Sequence, residues 1–103
     1  MTAFFQGRSS RIRGDLVDLA YAPALSFKVA CVVSKKSFPR AVDRNRVRRR
    51  IRAALMRAAL QGETPLVLVF TARASAANTT FEALALEVVR LAEKAVLSYN
   101  GRI

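Results

Sequence analysis

The chain has no histidine and no tryptophan, a single cysteine, and only seven acidic residues against eighteen basic ones in 103. Without histidine, Ser-His and Cys-His catalytic pairs and His-ligated metal centres are excluded outright. One cysteine, Cys31, makes neither an intramolecular disulfide nor a thiolate metal site, and a reducing compartment is the simpler reading. The carboxylates do not cluster. Asp15 and Asp18 fall on opposite faces of an extended stretch, and Glu82, Glu87 and Glu93 follow one another on a helix at spacings that do not make neighbours. No spacing resembles a two-metal nuclease centre, and there is no Gly-rich phosphate loop. No apolar run approaches the ~20 residues needed to span a bilayer, and the first residues lack a signal-peptide apolar region. The expectation is a chain with no catalytic residue and no metal ligand, placed in the cytoplasm.

What is present is base. The formal net charge is +11, while hydrophobic residues make up 52%, enough for one small core and against disorder. We expect a single domain over residues 1–103. Ten of the eighteen basic side chains lie within residues 35–57, where Asp43 is the only acid. Self-repulsion of that density destabilises a compact state unless a polyanion relieves it.

Periodicity gives the order of elements. Residues 11–22 read as extended with Gly14 as a kink or turn, and Pro23 supplies a break. Residues 26–34 suit a strand, and residues 65–72 form an apolar run of strand length with Pro65 at its head. Over residues 40–60 the period becomes helical: Val47, Ile51, Ala54, Leu55 and Ala58 mark one apolar stripe, expected to face the sheet. Ser37 or Asp43 is the expected cap, and Gly62 follows the end. Thr79 and Glu82 have capping-box spacing before a second amphipathic helix that ends near Asn100-Gly101. Between the last strand and that helix, ASAANT reads as a loop. The fold class is therefore α/β, an α+β sandwich in which a small mixed sheet of three to four strands carries a basic helix in a βαβ crossover and a C-terminal helix.

With its stripe docked, the basic helix holds guanidiniums outward on its remaining sides, a geometry suited to bidentate contact with phosphate. A helix that merely coats the surface would mix in Lys and Glu, and none occurs between residues 40 and 57. A membrane-surface helix needs bulky apolar residues free to enter lipid, whereas this stripe is small and required by the core. Asn45 reads either as a first-turn residue or as a polar contact to an RNA hydroxyl or base edge. Phe38 reads as a staple on the helix's first turn.

The string Arg44-Asn45-Arg46-Val47-Arg48-Arg49-Arg50-Ile51-Arg52, following Ser34-Lys35-Lys36 at a strand end, resembles the bacterial ribonuclease P protein component. The similarity continues in PLVLVFTARASAA and the closing helix, over about residues 7–97. The resemblance implies a protein subunit of a ribonucleoprotein endonuclease that removes the 5′ leader of precursor tRNA, with catalysis by the RNA. It implies a four-stranded sheet with a left-handed crossover, where handedness rules alone predict a right-handed one. The family's N-terminal helix looks reduced or absent, with Phe4 and Phe5 as its remnant. The RNA-binding residues expected are Lys35, Lys36, Arg40, Arg44, Asn45, Arg46, Arg48, Arg49, Arg52 and Arg73. For the leader, the sheet face away from the basic helix offers Phe5, Tyr21, Phe27 and Lys28; core packing is an equal or better reading of these aromatics. The partners implied are ribonuclease P RNA and precursor tRNA, with no membrane and no obligate protein partner. No cofactor is expected on the protein alone; Mg2+ belongs to the RNA-containing holoenzyme. The alternative is a general structured-RNA-binding or ribosomal-protein-like module without a role in cleavage.

Overall fold

The computed structural model of the chain describes residues 10–57 and 65–100. Phe4, Phe5, Ala58, Gly62 and Gly101, to which the sequence assigned roles, lie outside the described residues, as does any N-terminal helix. The elements are β1 (Ser10–Arg13), β2 (Val17–Pro23), β3 (Lys28–Val32), α1 (Ala41–Arg57), β4 (Leu66–Ala72), a short 3-10 helix (Ala74–Asn78) and α2 (Phe81–Asn100). The sheet order is β1-β2-β4-β3. β1 and β2 pair antiparallel, as do β2 and β4, while β3 and β4 run parallel. A parallel neighbour needs a crossover, and α1 supplies it.

Register sorts the side chains into two faces. Pairing aligns Ile12, Leu19, Phe70 and Cys31 in one row, and Tyr21 with Leu68 in the next; these point to the helices. The alternate rows are Arg11-Ala20-Val69-Ala30, Arg13-Asp18-Thr71-Val32 and Ala22-Val67-Lys28, on the opposite face. β4 is buried on both faces, which explains its unbroken apolar run. Its Leu66, Leu68 and Phe70 join Val47, Ile51, Leu84 and Val88 in the main core.

Several boundaries differ from the sequence reading. The extended stretch at 11–22 is two strands, because Gly14 to Leu16 turn between β1 and β2. Pro23 does not break β2 but ends it, opposite Leu66, and chain pairing continues through the Ala24 N–H to the Pro65 carbonyl at 3.0 Å. Neither Ser37 nor Asp43 caps α1. The Arg40 carbonyl accepts the N–H groups of Asp43 (3.1 Å) and Arg44 (3.2 Å), which puts Asp43 inside the first turn, where its charge favours the helix dipole. In α2 the cap is Thr80, whose Oγ1 accepts the Ala83 N–H at 3.1 Å, one residue later than the Thr79–Glu82 box predicts. Of ASAANT, Ala74–Asn78 form a 3-10 helix and only Thr79 is extended. The apolar stripe of α1 packs chiefly on α2 and also reaches β3, so the two helices share one core layer over the sheet.

Candidate nucleic-acid interface

Helical spacing puts Val47, Ile51 and Ala54 on the buried side of α1, each at 1% exposure or less. Burying the two larger of these stabilises by roughly 1.5–3 kcal/mol each, which fixes the rotation of the helix about its axis. That rotation leaves Asn45, Arg46, Arg49 and Arg52 exposed and Arg48 half-buried. Together with Val42 these five line an open depression along the helix. The Arg48 Nη1 donates to Asn45 Oδ1 at 3.2 Å, so Asn45 orients a neighbouring guanidinium within the rack. Among the described residues no carboxylate pairs with Arg46, Arg49 or Arg52; the ion pairs found there are Arg73–Asp18 and Arg90–Glu87. Exposed guanidiniums without acidic partners present bidentate donors to an incoming anion.

Not every arginine of the run belongs to that rack. Arg44 donates to the carbonyls of Phe38 (2.9 Å) and Pro39 (3.1 Å). Arg50 donates to the Thr79 carbonyl at 3.1 Å and ties α1 to the start of α2. Arg73 makes a forked contact with both oxygens of Asp18, at 3.1 and 3.3 Å. Lys35, Lys36 and Arg40 are exposed on the segment that leads from β3 into α1. Phe38 in that segment is 1% exposed and anchors it in the main core, a deeper role than a staple on the first turn.

Of the leader candidates, Phe5 lies outside the described residues. Tyr21 stands on the helix side of the sheet, buried, with its hydroxyl 3.2 Å from Ser98 Oγ on α2. Phe27 packs against the same core. Both are therefore on the wrong side of the sheet for a ligand on the open face, because strand alternation sends Tyr21 inward together with Leu19. Lys28 alone of the four is exposed on the face away from the helices, in the row of Ala22 and Val67. Arg11 and Arg13, which the sequence reading passed over, are exposed on that face at its other edge. The β1–β2 register is the signal that assigns them there.

Cys31 is half-buried on β3, facing α1. Burial raises its pKa, and the positive charges of Arg52 and then Arg48 only partly oppose the shift. The group is a neutral thiol, not an activated nucleophile. Glu87 was also missed. It is 6% exposed, and accepts the N–H groups of Asp15 (3.1 Å), Leu16 (2.6 Å) and Val17 (2.8 Å). The sequence carried a signal: Glu87 interrupts the apolar stripe Leu84, Val88, Leu91 at a core position. Its work is to hold the β1–β2 turn, so it adds nothing to a metal or acid-base site. Among the described residues no three His, Cys, Asp or Glu side chains come together to hold a metal ion. No described helix is long and apolar enough to cross a membrane.

A family model described as Ribonuclease P matches residues 3–96. No curated protein matches the sequence. The fold is similar to that of the RNase P protein from Thermotoga maritima, with a TM-score of 0.74, 14% identity, and 87% of this chain covering 86% of that one. A Staphylococcus aureus RNase P protein, a mutant described as defective in mRNA degradation activity, is 18% identical at a TM-score of 0.74, over 89% of this chain and 80% of that one. A second S. aureus RNase P protein structure is 20% identical with a TM-score of 0.60, over 89% and 81%. At such identities the structures establish the shared fold, and the family match carries the rest.

Proposed function

Because the chain belongs to the ribonuclease P protein family and so forms the protein subunit of that ribonucleoprotein endoribonuclease, working with its RNA, we propose that the outer face of α1 is where it grips the catalytic RNA. The observation that carries this is the set Arg46, Arg49 and Arg52, exposed on a helix whose rotation the core has fixed and with no described carboxylate to neutralise them. Lys35, Lys36 and Arg40 extend the same charge past the helix start, and Arg48 with Asn45 adds a donor set of defined direction. Arg73 contributes little here while Asp18 holds it.

The substrate in this reading is precursor tRNA, and the cut that frees its 5′ leader is made by the RNA subunit. In this reading the Mg2+ of the holoenzyme is held by its RNA. The protein contributes charge neutralisation and shape. The leader, single-stranded and anionic, suits the sheet face away from the helices. Arg11 and Arg13 stand at one edge of that face and Lys28 at the other, with the small floor of Ala20 and Ala30 between them. Backbone-tracking by a charged rim needs no base-specific contact and tolerates any leader sequence. Tyr21 and Phe27, on the core side, take no part. The cytoplasm, where tRNA is transcribed and processed in a bacterium, is the compartment this function requires.

Reconstitution tests the reading. The protein is mixed with a bacterial ribonuclease P RNA, and precursor-tRNA cleavage is followed at low magnesium. Faster cleavage or tighter substrate binding is the expected result; no gain in either rejects it. Substrates with and without a leader separate the two surfaces, since Arg11→Ala with Arg13→Ala should weaken binding only of the leader-bearing tRNA.

A further inference from the structure

We propose that Arg44, although it opens the arginine-rich stretch of α1, is a positioning residue that clamps the Lys35–Arg40 segment to the helix and does not itself contact RNA. The inference rests on the assignment of this surface to RNA. Its geometry is independent of that assignment. A single nitrogen, Nη1, donates to two successive backbone carbonyls, Phe38 at 2.9 Å and Pro39 at 3.1 Å. Charge-assisted bonds of this length are the strong ones, and here they close a ring from the helix's first turn back to the segment that precedes it. Arg44 is half-buried, unlike the exposed Arg46, Arg49 and Arg52.

The segment so held is also fixed at Ser37, Phe38 and Pro39. The Phe38 N–H donates to the Ser34 carbonyl at 2.9 Å, and the Ser37 N–H to Ser34 Oγ at 3.2 Å. The Phe38 ring is sunk in the core, and Pro39 has its φ set by its own ring. Lys35, Lys36 and Arg40 therefore ride on a short frame whose far end Arg44 closes. A frame already ordered in the free protein spares the complex the entropy of ordering it, which is how a residue that touches no RNA strengthens RNA binding.

Two measurements test this. The first is amide hydrogen exchange of the free protein: Arg44→Ala should speed exchange at Ser37 and Phe38 while β4 and α2 keep their protection. The second is a double-mutant cycle on affinity for ribonuclease P RNA. Arg44→Ala should weaken binding roughly five- to thirty-fold in the wild-type chain. In a Lys35→Ala/Lys36→Ala/Arg40→Ala background it should weaken binding less than about two-fold, because the clamp then has nothing to position. A loss of the same size in both backgrounds means that Arg44 meets a phosphate directly, and overturns the proposal, as does unchanged exchange. A purely global loss of stability would not give the coupling. Should Arg44→Ala fail to fold, Arg44→Met keeps the aliphatic stem and helix propensity without the donors; if that variant also fails to fold, Arg44 is a support of the whole domain and the proposal falls. Arg46→Ala and Arg49→Ala serve as controls for the parent reading: if they leave RNA affinity intact, the α1 interface is wrong, whatever Arg44 does.

Discussion

The carboxylate of Glu87 accepts the backbone N–H of Val17 at 2.8 Å, joining the last helix to the head of β2 across 70 positions of sequence. Its two oxygens also take the N–H groups of Asp15 and Leu16, so one buried acid satisfies three consecutive donors at a turn. Arg90, 3.9 Å away on the next turn of α2, offsets part of the charge. The turn sits where β1 ends, and β1 carries Arg11 and Arg13 on the open sheet face. A core acid thereby sets the edge of a candidate RNA surface.

Replacing Glu87 by Ala removes that acceptor. The buried N–H of Val17 is left unpaired at a cost of about 1–3 kcal/mol, which lowers Tm by roughly 5–20 °C in a chain of this size. Thermal unfolding of the two proteins at equal salt measures it, and an unchanged Tm would show the contact to be incidental.

Gly14→Ala should act on the same latch from the other side. A Cβ at Gly14 meets the Val17 carbonyl and lies 2.6 Å from Glu87 Oε2, closer than real Cβ contacts come. The turn must open, and Tm falls. In a Glu87→Ala background part of this loss should disappear, since one of the two colliding groups has gone.

The arginines of α1 should divide by partner. Arg46→Ala and Arg49→Ala lower RNA affinity and leave Tm unchanged or raised, because each removes an exposed charge from a field of like charge. Arg50→Ala lowers Tm by an amount equivalent to ~1 kcal/mol, because the Thr79 carbonyl loses its donor. Parallel melting and filter-binding curves separate the classes; loss of folding in the Arg46 or Arg49 variant would mean those side chains are structural.

Salt should weaken the complex steeply. With ~6–10 phosphates neutralised at about 0.7 counterions each, log affinity falls with log salt at a slope of roughly −4 to −7. A slope near −1 would contradict a surface made of six or more uncompensated cations.

Cys31 gives a pH prediction. Burial holds its folded pKa above the ordinary 9.0. The folded state therefore keeps the proton that the unfolded chain releases. This contribution to stability is complete below about pH 9 and is lost as pH rises through the folded value. Denaturant midpoints should fall on the alkaline side of pH 9, less so in Cys31→Ala, and the thiol of the native protein should react slowly with alkylating reagents at pH 8.

Much of this was legible before any coordinates, for definite reasons. Val47, Ile51 and Ala54 recur at the helical period, so the outward direction of Arg46 and Arg49 follows from the sequence once the stripe is buried. The apolar run at 66–72 announces a central strand. Tyr21 and Phe27 were misplaced because an aromatic suits a core and a stacking platform equally, and only register decides between the faces. The cap of α2 slipped from Thr79 to Thr80 since two adjacent threonines offer the same chemistry, and one position either way is within the tolerance of any pattern.

The sequence by itself determined the kinds of chemistry this protein favours: no histidine, a single thiol, dispersed acids and a dense arginine helix point to binding of a polyanion rather than to catalysis by side chains. Local order and charge are properties of neighbours in the chain, and composition records them. Tertiary structure alone decided which arginines are available. Arg44 and Arg50 look the same as Arg46 and Arg49 in the sequence, yet their guanidiniums meet backbone carbonyls brought near by the loop and by α2. Such partners lie in other elements of the fold, and no periodicity within one helix encodes them.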